Sequence, residues 1–169
     1  NTAPEGSCLA AEHGLSFYVE HRGKAVLLDA GASGGFADNA AALGVDLGHV
    51  DVAVLSHGHY DHAGGLGRFF ACNDHAKVYA RPSAGGAYFS TSLGEPRFIG
   101  VSRDVWEGQR ERFETPEGLF QLFDGAWLVP ETVHGGPFAS RETNLLRQEA
   151  AGGFVPVSYT HLRAHETTL

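Results

Sequence analysis

Four side chains able to bind a metal fall within six positions of Ser56-His57-Gly58-His59-Tyr60-Asp61-His62. Three of them are histidine, the commonest metal ligand among side chains. In an extended segment successive side chains alternate faces, so His57 and His59 project the same way and can grip one ion. A turn at Tyr60 then presents Asp61 and His62 beside them, placed for a second ion. Glycines 58, 64 and 65 are expected to leave the pocket uncrowded. The competing account is a solvated histidine-rich loop that sequesters metal without specificity. Such tracts are low in complexity, whereas this one sits between an apolar strand and a helix. Imidazole and carboxylate donors suit zinc, with iron or manganese as alternatives.

The elements that must position these residues follow from patterning. Residues 15–20 and 24–29 (LSFYVE and KAVLLD) read as a β-hairpin across a polar, glycine-containing turn. A loop from Asp29 to Gly35 precedes a short helix over 36–43, marked by Phe36, Ala40 and Leu43 and stopped at Gly44. Residues 50–56 form a third strand that delivers the histidine cluster. Leu66, Phe69 and Phe70 predict a helix turning away after His62, and residues 76–80 a fourth strand closed by Arg81-Pro82. Strand and helix alternate as in an α/β or α+β layered domain. Residues 83–99 read as a loop-rich insertion and 103–113 as a short exposed helix. Residues 119–123 and 126–130 read as strands around an Asp124-Gly125 turn.

With 169 residues, 43% of them hydrophobic and 19% charged, the chain is long enough for one domain with a core. It has no apolar run long enough to cross a bilayer. A net charge of -8 supplies no basic field for a phosphate backbone, so no nucleic-acid partner and no membrane partner are expected. A small-molecule substrate is expected instead. Cys8 and Cys72 are too few for a disulfide framework and read as reduced, buried or incidental thiols. Without secretion features, a cytoplasmic location is expected.

His57-x-His59-x-Asp61-His62 resembles the signature of the metallo-β-lactamase superfamily, an αββα sandwich of metal-dependent hydrolases. Leu28-Asp29-Ala30-Gly31 is similar to that family's other early motif, whose aspartate orients the metal-binding histidines. By that resemblance Asp29 accepts a ring N–H and fixes the tautomer; taken alone, it reads as a turn residue before a helix. Glu12-His13-Gly14-Leu15-Ser16, the Asn39-Ala40 pair with Leu43-Gly44, and residues 94–100 (GEPRFIG) resemble one branch, the dihydropterin ribofuranosylaminobenzene phosphate synthase homologues. The resemblance implies two divalent ions at His57, His59, Asp61 and His62, with further ligands downstream. Metal-bound water, its pKa lowered to roughly 7, would supply a hydroxide that attacks an ester, lactone or phosphoester bond, with Asp61 holding its proton. The alternatives are a pterin-pathway synthase or transferase on the same site, and a non-catalytic metal-binding remnant.

Outside the cluster, His13 reads as a hydrogen-bonded structural histidine, and His134 as a glycine-loop residue outside any family motif. His21, His49 and His75 read as surface residues, and Arg97 as a side chain able to meet a phosphate or carboxylate. The family resemblance stops after Phe154. Residues 157–167 (VSYTHLRAHET) resemble the translation of a transposon-type sequencing adaptor. Residues 1–155 are therefore read as a partial metallo-β-lactamase-like domain and 156–169 as a non-native tail. The chain, which contains no methionine, is expected to be an N-terminal fragment, inactive alone and lacking the second β-layer.

Overall fold

The computed structural model describes residues 2–129 and 140–159. Strands β1 (Phe17–His21) and β2 (Lys24–Leu28) pair antiparallel. The residues joining them, Arg22 and Gly23, have φ of 50° and 72°, the left-handed pair that lets a two-residue turn follow the twist of its strands. Helix α1 (Gly35–Ala42) leads to β3 (Val52–Val54), then α2 (Tyr60–Ala63), α3 (Leu66–Cys72) and β4 (Lys77–Tyr79). After β5 (Tyr88–Ser90), β6 (Arg97–Phe98) and α4 (Arg103–Gly108), β7 (Phe113–Glu114) joins the first sheet. Strands β8 (Phe120–Phe123) and β9 (Ala126–Leu128) form a hairpin, followed by β10 (Ser140–Gln148) and β11 (Phe154–Tyr159).

The first sheet has the order β1-β2-β3-β4-β7, with parallel pairing from β2 onward. One register row crosses it: Leu27, Ala53, Val78 and Phe113 lie side by side, and all four are buried. Phe36 of α1 with Leu66 and Phe69 of α3 belong to the same core. Because side chains alternate along a strand, Val26, Leu28, Val52 and Val54 project to the opposite face, where they are half-buried. Buried Asn73, which follows α3, ties that helix to the segments before β3 and β4. Its Nδ2 donates to the carbonyls of Leu47 and Val50, and its Oδ1 accepts the N–H groups of His75 and Ala76.

Several expectations need correction here. The segment over 83–99 is not merely a loop, because it contains β5 and β6. Strands of three and two residues are too short to display a period-2 pattern, and what holds them is aromatic packing. Phe89 stands edge-on to both Phe98 and Phe154, with ring centroids 5.5 and 5.2 Å away. The chain also does not lack a second β-layer: an antiparallel sheet of order β11-β10-β5-β6 is present. Strand β11 runs across the expected boundary at 155/156, so three residues of the segment read as tail continue a ladder begun upstream. Cys8 and Cys72 are free but exposed rather than buried. Among the described residues, no helix is long and apolar enough to cross a membrane.

Candidate metal centre

Asp29 directly follows β2, and the segment 56–62 follows β3. Both therefore emerge at the carboxyl ends of neighbouring parallel strands, where open α/β sheets place their ligand crevices. Asp29 is 2% exposed and has φ of 60°, a left-handed conformation that costs an ordinary residue about 1–2 kcal/mol. Its surroundings hold it there. The Asp29 N–H donates to Val54 O (2.9 Å), and its own carbonyl accepts Ser16 Oγ (3.0 Å). The carboxylate accepts three bonds of 2.7 Å: the Ser56 N–H on Oδ1, and Ser56 Oγ and His62 Nδ1 on Oδ2.

These bonds settle the protons of two rings. A carboxylate only accepts, so Ser56 spends its single hydroxyl proton on Asp29. Its oxygen can then only accept from His57 Nδ1, 3.0 Å away. His62 Nδ1 likewise donates to Asp29. Both rings are thus left with Nε2 lone pairs for a ligand. Burial lowers the His62 pKa, but the Asp29 hydrogen bond and charge, aided by Asp61, outweigh it and raise the ring above its ordinary value. The His57 ring lies 4.8 Å from that of His59 and 4.2 Å from that of His62, centroid to centroid.

One donor atom each from His57, His59 and Asp61 lies within 4.8 Å of the others. Ligands bonded at about 2.0–2.2 Å to one tetrahedral ion stand roughly 3.3–3.6 Å apart, so these side chains would close by up to about 1.5 Å to share one. Two imidazoles and a carboxylate form a donor set that a divalent ion accepts. Helix α2 starts at Tyr60, so its first turn carries Asp61 and His62 round beside the strand-borne pair.

The second sheet pins this loop. The Tyr60 N–H donates to Ile99 O (2.8 Å), and His59 forms an isolated bridge with Gly100, just beyond β6. Glycines 58, 64 and 65, expected from sequence to leave the pocket uncrowded, instead face neighbouring backbone. A Cβ on them would stand 1.9 Å from Ala84 O, 2.1 Å from Ala32 O and 2.1 Å from Ala30 O, so each allows backbone to pack on backbone. Sequence reasoning missed Ser56, although it adjoins the motif, and Tyr88, which no local signal marks. The Tyr88 ring meets His59 edge-on at 5.3 Å, and its hydroxyl donates to Ser83 O (2.7 Å). Burial raises its pKa, outweighing that bond and the charge of Arg147, so the phenol stays neutral at pH 7.

His13 is not the structural residue expected. It is 80% exposed, with Nε2 3.3 Å from Asp61 Oδ2. Glu12 anchors the neighbouring turn, its carboxylate accepting the N–H groups of Ala32 and Ser33 and the Ser33 hydroxyl. His49 pairs with Asp46 and His75 with Asp74 at the surface, while His21 packs beside Phe123. Arg97 is exposed on β6. His134, His161 and His165 lie outside the described residues.

The family model described as the metallo-beta-lactamase superfamily matches residues 10–143. The chain belongs to the metallo-β-lactamase superfamily. An uncharacterised protein of Methanocaldococcus jannaschii is 34% identical over 99 residues, covering 57% of this chain and 37% of that protein. A second protein of that organism, named 7,8-dihydropterin-6-methyl-4-(beta-D-ribofuranosyl)-aminobenzene-5'-phosphate synthase, is 32% identical over 98 residues, covering 53% and 31%. Among solved structures, a subclass B3 metallo-β-lactamase from a soil metagenome library aligns with TM-score 0.45 and 21% identity, covering 64% of this chain and 43% of its own. This superfamily member thus spans about a third of the length of the curated relatives it matches.

Proposed function

We propose that the whole protein to which this superfamily domain belongs is a metal-dependent hydrolase acting on a small-molecule ester, lactone or phosphoester. The observation that carries this reading is the convergence of His57, His59 and Asp61 beyond the carboxyl end of β3, backed by the buried Asp29 carboxylate that follows β2. His57 and His59 would hold one ion, and Asp61 with His62 a second. A divalent ion held there, zinc or iron or manganese, would supply the chemistry of a more acidic bound water and of a Lewis acid beside the substrate oxygen.

The chain's own residues do the rest. Asp29 and Ser56 hold the Nδ1 protons of His62 and His57, so neither ring can turn its Nε2 away without breaking a part-buried hydrogen bond. The Asp61 carboxylate, an acceptor only, holds the proton of the attacking water and thereby aims its lone pair at the substrate. Tyr88 walls one side of His59 with a neutral ring and limits entry of bulk water there.

The test is a panel of lactones, esters and phosphodiesters offered to the whole protein loaded in turn with zinc, manganese and ferrous iron. Turnover that falls at least 100-fold in His57→Ala is the expected result. Silence on every substrate with metal bound would sink the hydrolase reading. A synthase or transferase joining a pterin to an aminobenzene ribose phosphate would then take its place, a reading supported by the name of the second curated relative.

A further inference from the structure

His13 stands beside the centre without belonging to the strand-borne cluster. Its backbone is fixed on both sides. The Leu15 N–H donates to Asp61 O (3.1 Å), and Leu15 O accepts the Gly31 N–H (2.8 Å). Gly14, at φ of 134°, passes so close that a Cβ would lie 2.2 Å from Asp61 O, an approach open only to glycine. On the other flank, Glu12 is bonded to the turn after Asp29. The residue between these anchors directs its ring at Asp61.

Two imidazole nitrogens approach the same carboxylate oxygen: Asp61 Oδ2 is 3.3 Å from His13 Nε2 and 3.7 Å from His62 Nε2. A charge-assisted hydrogen bond is shorter, about 2.7–2.9 Å. Two ligands on one tetrahedral zinc at about 2.0–2.2 Å stand roughly 3.3–3.6 Å apart. The spacing fits neighbours around an ion better than partners in an ion pair. An exposed pair of this kind also gives the fold little, about 0–1 kcal/mol, so fold stability alone does not account for the ring's position beside Asp61.

We propose that His13 is a ligand of the second ion, shared with Asp61 and His62, and contributed by the segment before β1. This rests on the two-ion reading of the site. The ring, 80% exposed, has room to turn onto an ion held by the other two.

The test is a zinc titration of the 169-residue chain against a chromophoric chelator, with cobalt absorption spectra as a second readout. Two equivalents are expected for the unaltered chain. His13→Ala and His13→Gln should weaken the second at least tenfold and change the cobalt bands, while His13→Cys, which keeps a metal-binding side chain, should retain more affinity than either. His75→Ala, a surface histidine distant in sequence from the cluster, should change nothing. A single equivalent in the unaltered chain, unchanged binding in His13→Ala, or equal behaviour of the Gln and Cys variants overturns the assignment. Failure of the underlying metal reading is distinguished by His57→Ala: if that variant also binds zinc normally, the centre itself is not where we place it.

Discussion

At Ser56 one hydroxyl decides which nitrogen a neighbouring imidazole can offer, since its only proton already belongs to Asp29. Ser56→Ala removes the hydroxyl that accepts from His57 Nδ1, and outer partners of this kind are worth 10–100-fold in metal affinity. A drop of that size in zinc affinity is expected, with Ser56→Thr restoring most of it; an Ala variant that binds like the parent would show that His57 is oriented by other contacts. Asp29→Asn tests the carboxylate itself, because asparagine also tolerates a left-handed φ. In the metal-free chain the His62 pKa is raised by Asp29 against the opposing effect of burial. The Asn variant should therefore titrate lower, as seen in the His62 ring resonances by NMR. The sign carries over to stability. A ring with a raised folded-state pKa stabilises the metal-free fold fully below its ordinary pKa of 6.5, and that contribution disappears as pH rises through the folded value. In Asp29→Asn this pH dependence should shrink.

At the scale of elements, the entry of β2 is tied to the entry of β3 by one side chain. Asp51 accepts Lys24 Nζ (2.7 Å) and the Ala25 N–H (2.8 Å). Those two hydrogen bonds hold its carboxyl below the ordinary 3.8 despite some burial. Its contribution is present above the unfolded value and lost as pH falls through the folded one. Asp51→Asn should lower stability by up to about 1 kcal/mol at pH 7, the upper range for a solvent-accessible pair. The gap between variant and parent should narrow towards pH 3 in urea unfolding; a constant gap would mean that the carboxylate's charge is not the cause. The elements of the first sheet were legible in sequence because β2, β3 and β4 are apolar runs with turn residues at their ends. The second sheet was not, since β5 and β6 are held by contacts of Phe89 with residues as distant as Phe154. The site shows the same division. The histidines and Asp29 declare themselves by spacing, whereas Tyr88 reaches His59 only through tertiary packing, and His13 reaches Asp61 only because Gly14 lets two backbones touch.

For the whole molecule, the centre lies where both sheets meet the loop, so an ion bound there opposes unfolding of each. A ligand at 100 times its Kd adds about 2.7 kcal/mol, and a chain of this size gains about 2–4 °C per kcal/mol. Zinc at that excess should raise Tm by roughly 5–11 °C, reversed by a chelator in differential scanning calorimetry. A shift below about 1 °C would mean that binding is not coupled to the fold. The left-handed turn at Asp29 has a further consequence, in time rather than in energy. Its amide reaches Val54 O only when β3 already lies beside β2, so the carboxylate cannot face Ser56 and His62 until the parallel pair has formed. The ion-binding arrangement thus matures after the β2–β3 pair, and a refolding chain should become competent to capture metal only once that pair has formed. Zinc added at the start of refolding should leave the rate of sheet formation unchanged and act by slowing the reverse step.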